Sequence, residues 1–143
     1  MIKKTVSVCL LSAGFLFGVV RLLVGAAMLA QLGGLLAEPA LAEGIGNVSQ
    51  FMAERADIQL LPLPVPVFFA NIALMGCLLI AGTAGVFFRK SWGFYCLYGY
   101  LMLHGALFVI YLEVNPKLIL WVFQCIAVVW LANVRPPIRP QQV

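Results

Sequence analysis

Four long apolar stretches follow one another along the chain. Thr5 to Ala37 is interrupted only by Arg21, while Val65 to Phe88, Ser91 to Leu112 and Leu118 to Val134 carry no Asp, Glu, Lys or Arg. Each can cross the roughly 30 Å hydrocarbon layer as a helix of about 17 to 25 residues. Helices are required because a backbone N–H or C=O left unpaired in lipid costs several kcal/mol. The runs are also too long and too unalternating for barrel strands. The pattern predicts an all-α, integral membrane four-helix bundle in one transmembrane domain covering 1–143, with spans at about 8–34, 65–88, 91–112 and 117–134.

The polar positions between the spans set an expected orientation. If the spans alternate, Lys3, Lys4, Arg89, Lys90, Arg135 and Arg139 share one side, with only Arg55 and Lys117 opposite. That bias marks the cytoplasmic side and predicts a multi-pass protein of the bacterial cell inner membrane with both termini cytoplasmic. Glu38, Glu43, Glu54, Asp57 and Glu113 then face outward. Trp92 and Trp130 fall near the inner boundary, and Tyr111 and Trp121 near the outer one, where amphipathic rings prefer to lie. A signal peptide cleaved after Ala42 is the rival reading of the N-terminus, but an apolar run beyond thirty residues exceeds the usual signal core of about 7 to 15. The N-terminal segment is therefore expected to remain as the first span.

The loop over 38–64 is the one sizeable polar region. Asn47, with Gln50 three residues on, fits the capping-box pattern, and Ile45, Val48, Phe51 and Met52 recur at helical spacing. A short outer interfacial helix is expected there. Pro62, Pro64 and Pro66 predict an extended approach to the second span, Lys90 to Trp92 a tight inner turn, and Glu113 to Lys117 a short outer one. The proline-rich tail over 135–143 reads as a solvated end.

Composition agrees with a lipid environment: 64% of residues are hydrophobic and 10% charged, and mean hydropathy is +1.06. The basic pI of about 9.1 reflects cations on one membrane face, so no nucleic-acid partner is expected. Cys9, Cys77, Cys96 and Cys125 fall one per span without a Cys-x-x-Cys pair, and small apolar packing is the expected role of all four. No metal is expected, a lone histidine excludes bis-histidine haem ligation within one chain, and no nucleotide loop or catalytic triad occurs.

What remains is a layer of polar residues, one per span. Counting about 1.5 Å per residue from the outer ends places Arg21 roughly 14 Å deep, Asn71 roughly 9 Å, His104 roughly 12 Å and Gln124 roughly 10 Å. Arg21 shares a helical sector with Ser7, Gly14, Gly18 and Gly25, and Gly14-x-x-x-Gly18 is a spacing that lets membrane helices approach closely. It is therefore expected to face partners or water, since arginine among acyl chains costs from about 2.5 to over 10 kcal/mol. Glu38 or Glu113 could neutralise it. Tyr100 shares the face of His104, so the candidate ligand-binding set is Arg21, Asn71, Tyr100, His104 and Gln124. The alternative role for these groups is interhelical hydrogen bonding, worth about 1 kcal/mol each.

Arg21-Leu-Leu-Val-Gly25, the segment ending Gln59-Leu-Leu-Pro-Leu-Pro, the stretch Ala70-Asn71 to Gly76, and Arg89 after it resemble the DoxX and MauE group of small four-helix membrane proteins over roughly the first two thirds of the chain. The resemblance implies either a link to quinone or thiol redox systems or service as an accessory or maturation factor. This chain has Gln31 and Gly33 where a lysine often ends the first span of that group, and Asn71 near where the second often carries an acid. The leading expectation is a non-catalytic accessory or assembly protein with a membrane protein partner or a second copy of itself. A redox subunit interacting with a quinone is the alternative, and a small oligomeric transporter is third.

Overall fold

In lipid the backbone must satisfy its own hydrogen bonds, and the described residues form five helices: α1 (Ile2–Leu32), α2 (Pro39–Glu54), α3 (Val65–Phe87), α4 (Ser91–Tyr111) and α5 (Lys117–Val134). The computed structural model describes residues 2–112 and 116–138, and no strand occurs among them. Glu113, Asn115, Arg139 and the end of the tail lie outside the described residues. The helices α1, α3, α4 and α5 are each long and apolar enough to cross a membrane. Their outward surface is apolar, with Leu16, Leu23, Met102, Ile119 and Phe123 all exposed, which fits a bilayer and not water.

Packing runs α1 on α3, α3 on α4 and α4 on α5, each pair antiparallel. The first two seams are made by glycine. A Cβ added at Gly76 of α3 would sit 2.5 Å from the Leu22 backbone nitrogen of α1, and one at Gly93 of α4 would sit 2.5 Å from the Val86 nitrogen of α3. Such backbone approach maximises dispersion contact where no hydrophobic force drives helices together. Met75, Leu79, Val86, Leu97 and Tyr100 fill the space behind these seams.

Helix α5 is the least buried of the four. It is tied at two levels. Trp121 donates its indole N–H to the Leu101 carbonyl at 2.9 Å, and its ring lies over Gly105, where a Cβ would meet Trp121 at 2.9 Å. At the other end Arg135 Nε donates to Ser7 Oγ at 2.8 Å, and Nη1 donates to the Phe87 carbonyl at 3.3 Å. The Ser7 hydroxyl in turn donates to the Lys4 carbonyl at 2.8 Å. Phe87 closes α3, so Arg135 brings positive charge to one of the carbonyls that a helix end leaves unpaired.

Several expected boundaries move. Helix α1 starts at Ile2 and not near residue 8, because Lys3 and Lys4 are good helix formers and prolong it past the apolar run. Helix α2 begins at Pro39, about two turns before Asn47, with Glu38 at the N-cap. Proline at the first helical position is preset for that conformation. Asn47 thus lies inside the helix, and Gln50 reaches forward to Glu54 Oε1 at 2.8 Å instead of back. The Ile45, Val48, Phe51 and Met52 face does turn inward: Met52 is buried and Phe51 packs on Tyr111 at 5.6 Å. The α3–α4 turn is Phe88 to Lys90, and Trp92 already belongs to α4. Trp121 serves as a packing lock on α4 through the bonds given above.

Substitution at the seams gives a direct check. Gly76→Ala is expected to lower unfolding free energy by about 1 to 3 kcal/mol in detergent, because the methyl meets backbone that cannot swing away. Gly46→Ala on α2 has open space around it and should hold or raise stability by up to about 1 kcal/mol.

Candidate functional site

Arg21 is half-buried on α1, between the rings of Phe17 and Tyr100, at 5.0 and 5.7 Å from their centroids. Its Nη1 donates to the Met75 Sδ of α3 at 3.5 Å. Among the described residues no carboxylate pairs with it. Glu38, one expected neutraliser, is exposed and has its backbone N–H bound to Gln31 Oε1 at 3.0 Å. It lies beyond the end of α1, more than three turns from Arg21, so the carboxylate cannot follow the guanidinium inward. Glu113, the other, is outside the described residues.

The two ring contacts, at about 2 kcal/mol each, offset the lower end of the cost of an embedded guanidinium but not its upper end. A desolvated cation on an aromatic face gains about 2 kcal/mol, and a thioether is a weak acceptor. Embedding a guanidinium costs from about 2.5 to more than 10 kcal/mol. A guanidinium has five N–H donors, and the one recorded hydrogen bond leaves most of them available.

Tyr100 is the centre of the remaining polar group. It is 2% exposed, and its hydroxyl donates to Gln124 Oε1 at 3.1 Å while standing 3.3 Å from His104 Nδ1. A phenol has a single proton. The arrangement that satisfies all three groups therefore has His104 carrying its proton on Nδ1, donating to Tyr100, which donates to Gln124. Positions 100 and 104 are one turn apart on α4, and the His104 ring continues the stack onto Phe108 at 5.4 Å.

Arg21, Tyr100, His104 and Gln124 are thus brought together, and Asn71 is not. Asn71 is half-buried on α3, one turn from Met75 toward the acidic end of the bundle, and no hydrogen bond joins it to the other four. Its short side chain does not span that turn. Cysteine also departs from expectation: Cys9 and Cys77 are exposed on the lipid-facing surface, and only Cys96 and Cys125 are partly packed, all as free thiols. No cluster of three or more metal-ligating side chains exists among the described residues.

Beside the polar group lies a cleft of about 350 Å³ bordered by all four spanning helices. It runs along α5 from Leu120 to Leu131, a length of about 16 Å at the helical rise. Its lining is apolar apart from Thr83, Tyr100 and Gln124. The Thr83 hydroxyl is bound to the Leu79 carbonyl at 2.7 Å, which leaves Tyr100 and Gln124 as the polar landmarks. Phe17 and Tyr100 line the cleft and also flank the Arg21 guanidinium. The cleft was not legible in the sequence, because it arises from the stand-off of α5.

Two substitutions separate cost from purpose. Arg21→Met removes the charge while keeping a long side chain, and it should raise stability in detergent by about 2 kcal/mol or more. Tyr100→Phe should lower it by about 1 kcal/mol, the usual worth of such a bond between membrane helices.

Comparison with protein-family models, curated proteins and solved structures finds no match, so function is read from the chemistry of this site.

Proposed function

We propose that this chain is a non-catalytic accessory or assembly protein of the bacterial inner membrane that holds a lipid-like amphiphile in the cleft beside α5. In this reading both termini are cytoplasmic, and the bound molecule and the 38–64 loop are presented to a membrane protein partner. The observation that carries the proposal is the spare donor capacity of Arg21 next to an apolar cleft, with no acid among the described residues to neutralise it.

The chemistry narrows the ligand. Its tail is slender and apolar, to fit a volume of about 350 Å³ lined by leucine, valine and phenylalanine. Its head is small and accepts hydrogen bonds, since Arg21 offers only donors. A quinone carbonyl or a carboxylate meets that description, whereas a bulky sugar head does not. His104 and Gln124, joined through Tyr100, add orientation. Access is lateral, from the acyl chains.

Extraction of the protein purified in mild detergent, followed by mass spectrometry of the organic phase, tests this. A single class of amphiphile should be present near equimolar amount, and Ala127→Phe, which narrows the cleft, should reduce it at least tenfold in a folded protein. Arg21→Met should reduce it while raising stability. Absence of any retained amphiphile from the wild-type protein would rule the proposal out.

A further inference from the structure

A second apolar groove, of about 420 Å³, lies on the α1–α3 seam and is lined by residues including Phe15, Leu16, Ala84, Phe87 and Phe88. It meets the α5 cleft at Leu11 and Thr83, which border both hollows, and otherwise lies between α1 and α3 with Ser12 among its lining residues. Its aromatic end leads straight into Arg89 and Lys90.

That end of the bundle is wholly basic. The Arg135 bonds to Ser7 and Phe87, and the bond from the Ile138 N–H to the Arg89 carbonyl at 3.0 Å, gather α1, α3 and α5 there. Lys3, Lys4, Arg89, Lys90 and Arg135 are therefore neighbours of one bundle face, and no described acid shares it. Arg135 is committed to neutral partners. Arg89 and Lys90 are exposed.

Arg89 has a further peculiarity. Its backbone is left-handed, with φ of 55°. The Lys90 N–H bonds the Gly85 carbonyl at 2.8 Å and the Arg89 N–H bonds the Val86 carbonyl at 3.0 Å. This is the Schellman ending, whose left-handed position glycine fills at no cost and other side chains fill with strain. An arginine held there against its backbone preference marks the side chain as the useful part.

We propose that the α1–α3 groove and the Arg89–Lys90 turn form a binding site for an anionic phospholipid, with an acyl chain along Phe15, Leu16, Phe87 and Phe88 and the phosphate at Arg89 and Lys90. Charge complementarity selects this occupant. A guanidinium and an ammonium without acids match a phosphate at headgroup level, and the apolar groove below them matches a chain and no polar ligand. The groove volume falls within the usual range for ligand clefts, about 300 to 1,000 Å³.

The test is native mass spectrometry of the full chain in mild detergent, with phosphatidylglycerol or phosphatidylcholine of identical acyl chains added. Phosphatidylglycerol should be retained severalfold more than phosphatidylcholine. Retention should fall roughly fivefold for each cation removed, in Arg89→Gln and in Lys90→Gln. Arg89→Gly should lose the lipid equally while melting no lower than wild type, which separates binding from folding. Ala84→Phe should also lose it, with every cation in place. Equal retention of the two lipids, unchanged retention in the double variant R89Q/K90Q or in Ala84→Phe, or displacement by inorganic phosphate at equal concentration would each overturn the site.

Discussion

Backbone contact between helices is the constraint from which the rest of this structure follows. Lipid offers no hydrophobic drive for association, so helices hold together where their main chains come close enough for dense dispersion contact. Gly76 against Leu22 and Gly93 against Val86 achieve this along two seams. Helix α5 carries no glycine between Lys117 and Val134, and its side chains keep it at a distance from α1. The cleft is the geometric residue of that difference. Its position is set by glycine content, and its chemistry by the few polar groups that border it.

Those polar groups divide by what the neighbouring helices can offer. Tyr100, His104 and Gln124 satisfy one another within one hydrogen-bonded group, which is inexpensive in a medium without water. Arg21 cannot be treated the same way, because a guanidinium keeps its proton and its partners here are two rings and a thioether. Natural sequences violate local rules chiefly at functional positions. Arg21 within the bilayer and Arg89 in a glycine conformation are two such violations, one at each of the two hollows.

Much of this was legible before the fold. Uninterrupted apolar runs located α3, α4 and α5 to within a residue or two, because nothing but a spanning helix tolerates them. The shared sector of Ser7, Gly18, Arg21 and Gly25 correctly pointed inward, since helical angle is a local property. The start of α2 was misread because Asn47 and Gln50 imitate a cap, whereas Pro39 supplied the real one. Glycine spacing signalled the α1 seam, but the cleft and the Arg135 clasp depend on how far α5 stands from α1, a long-range property that periodicity does not encode. Asn71 stands apart for a related reason: counting residues along a helix does not give reach across the bundle.

The two ties on α5 also bear on how the proposed ligand would enter. Trp121, near one end of the hollow, and Arg135, beyond the other, fasten the rod about 21 Å apart along its axis. A strut secured at top and bottom cannot swing out as a door does. On the proposed function the opening acts as a fixed slot, and the ligand threads it sideways from the surrounding acyl chains. Flexible, narrow molecules already dissolved in the bilayer pass such a filter. Rigid, wide or water-borne ones are turned away before any polar group can inspect them.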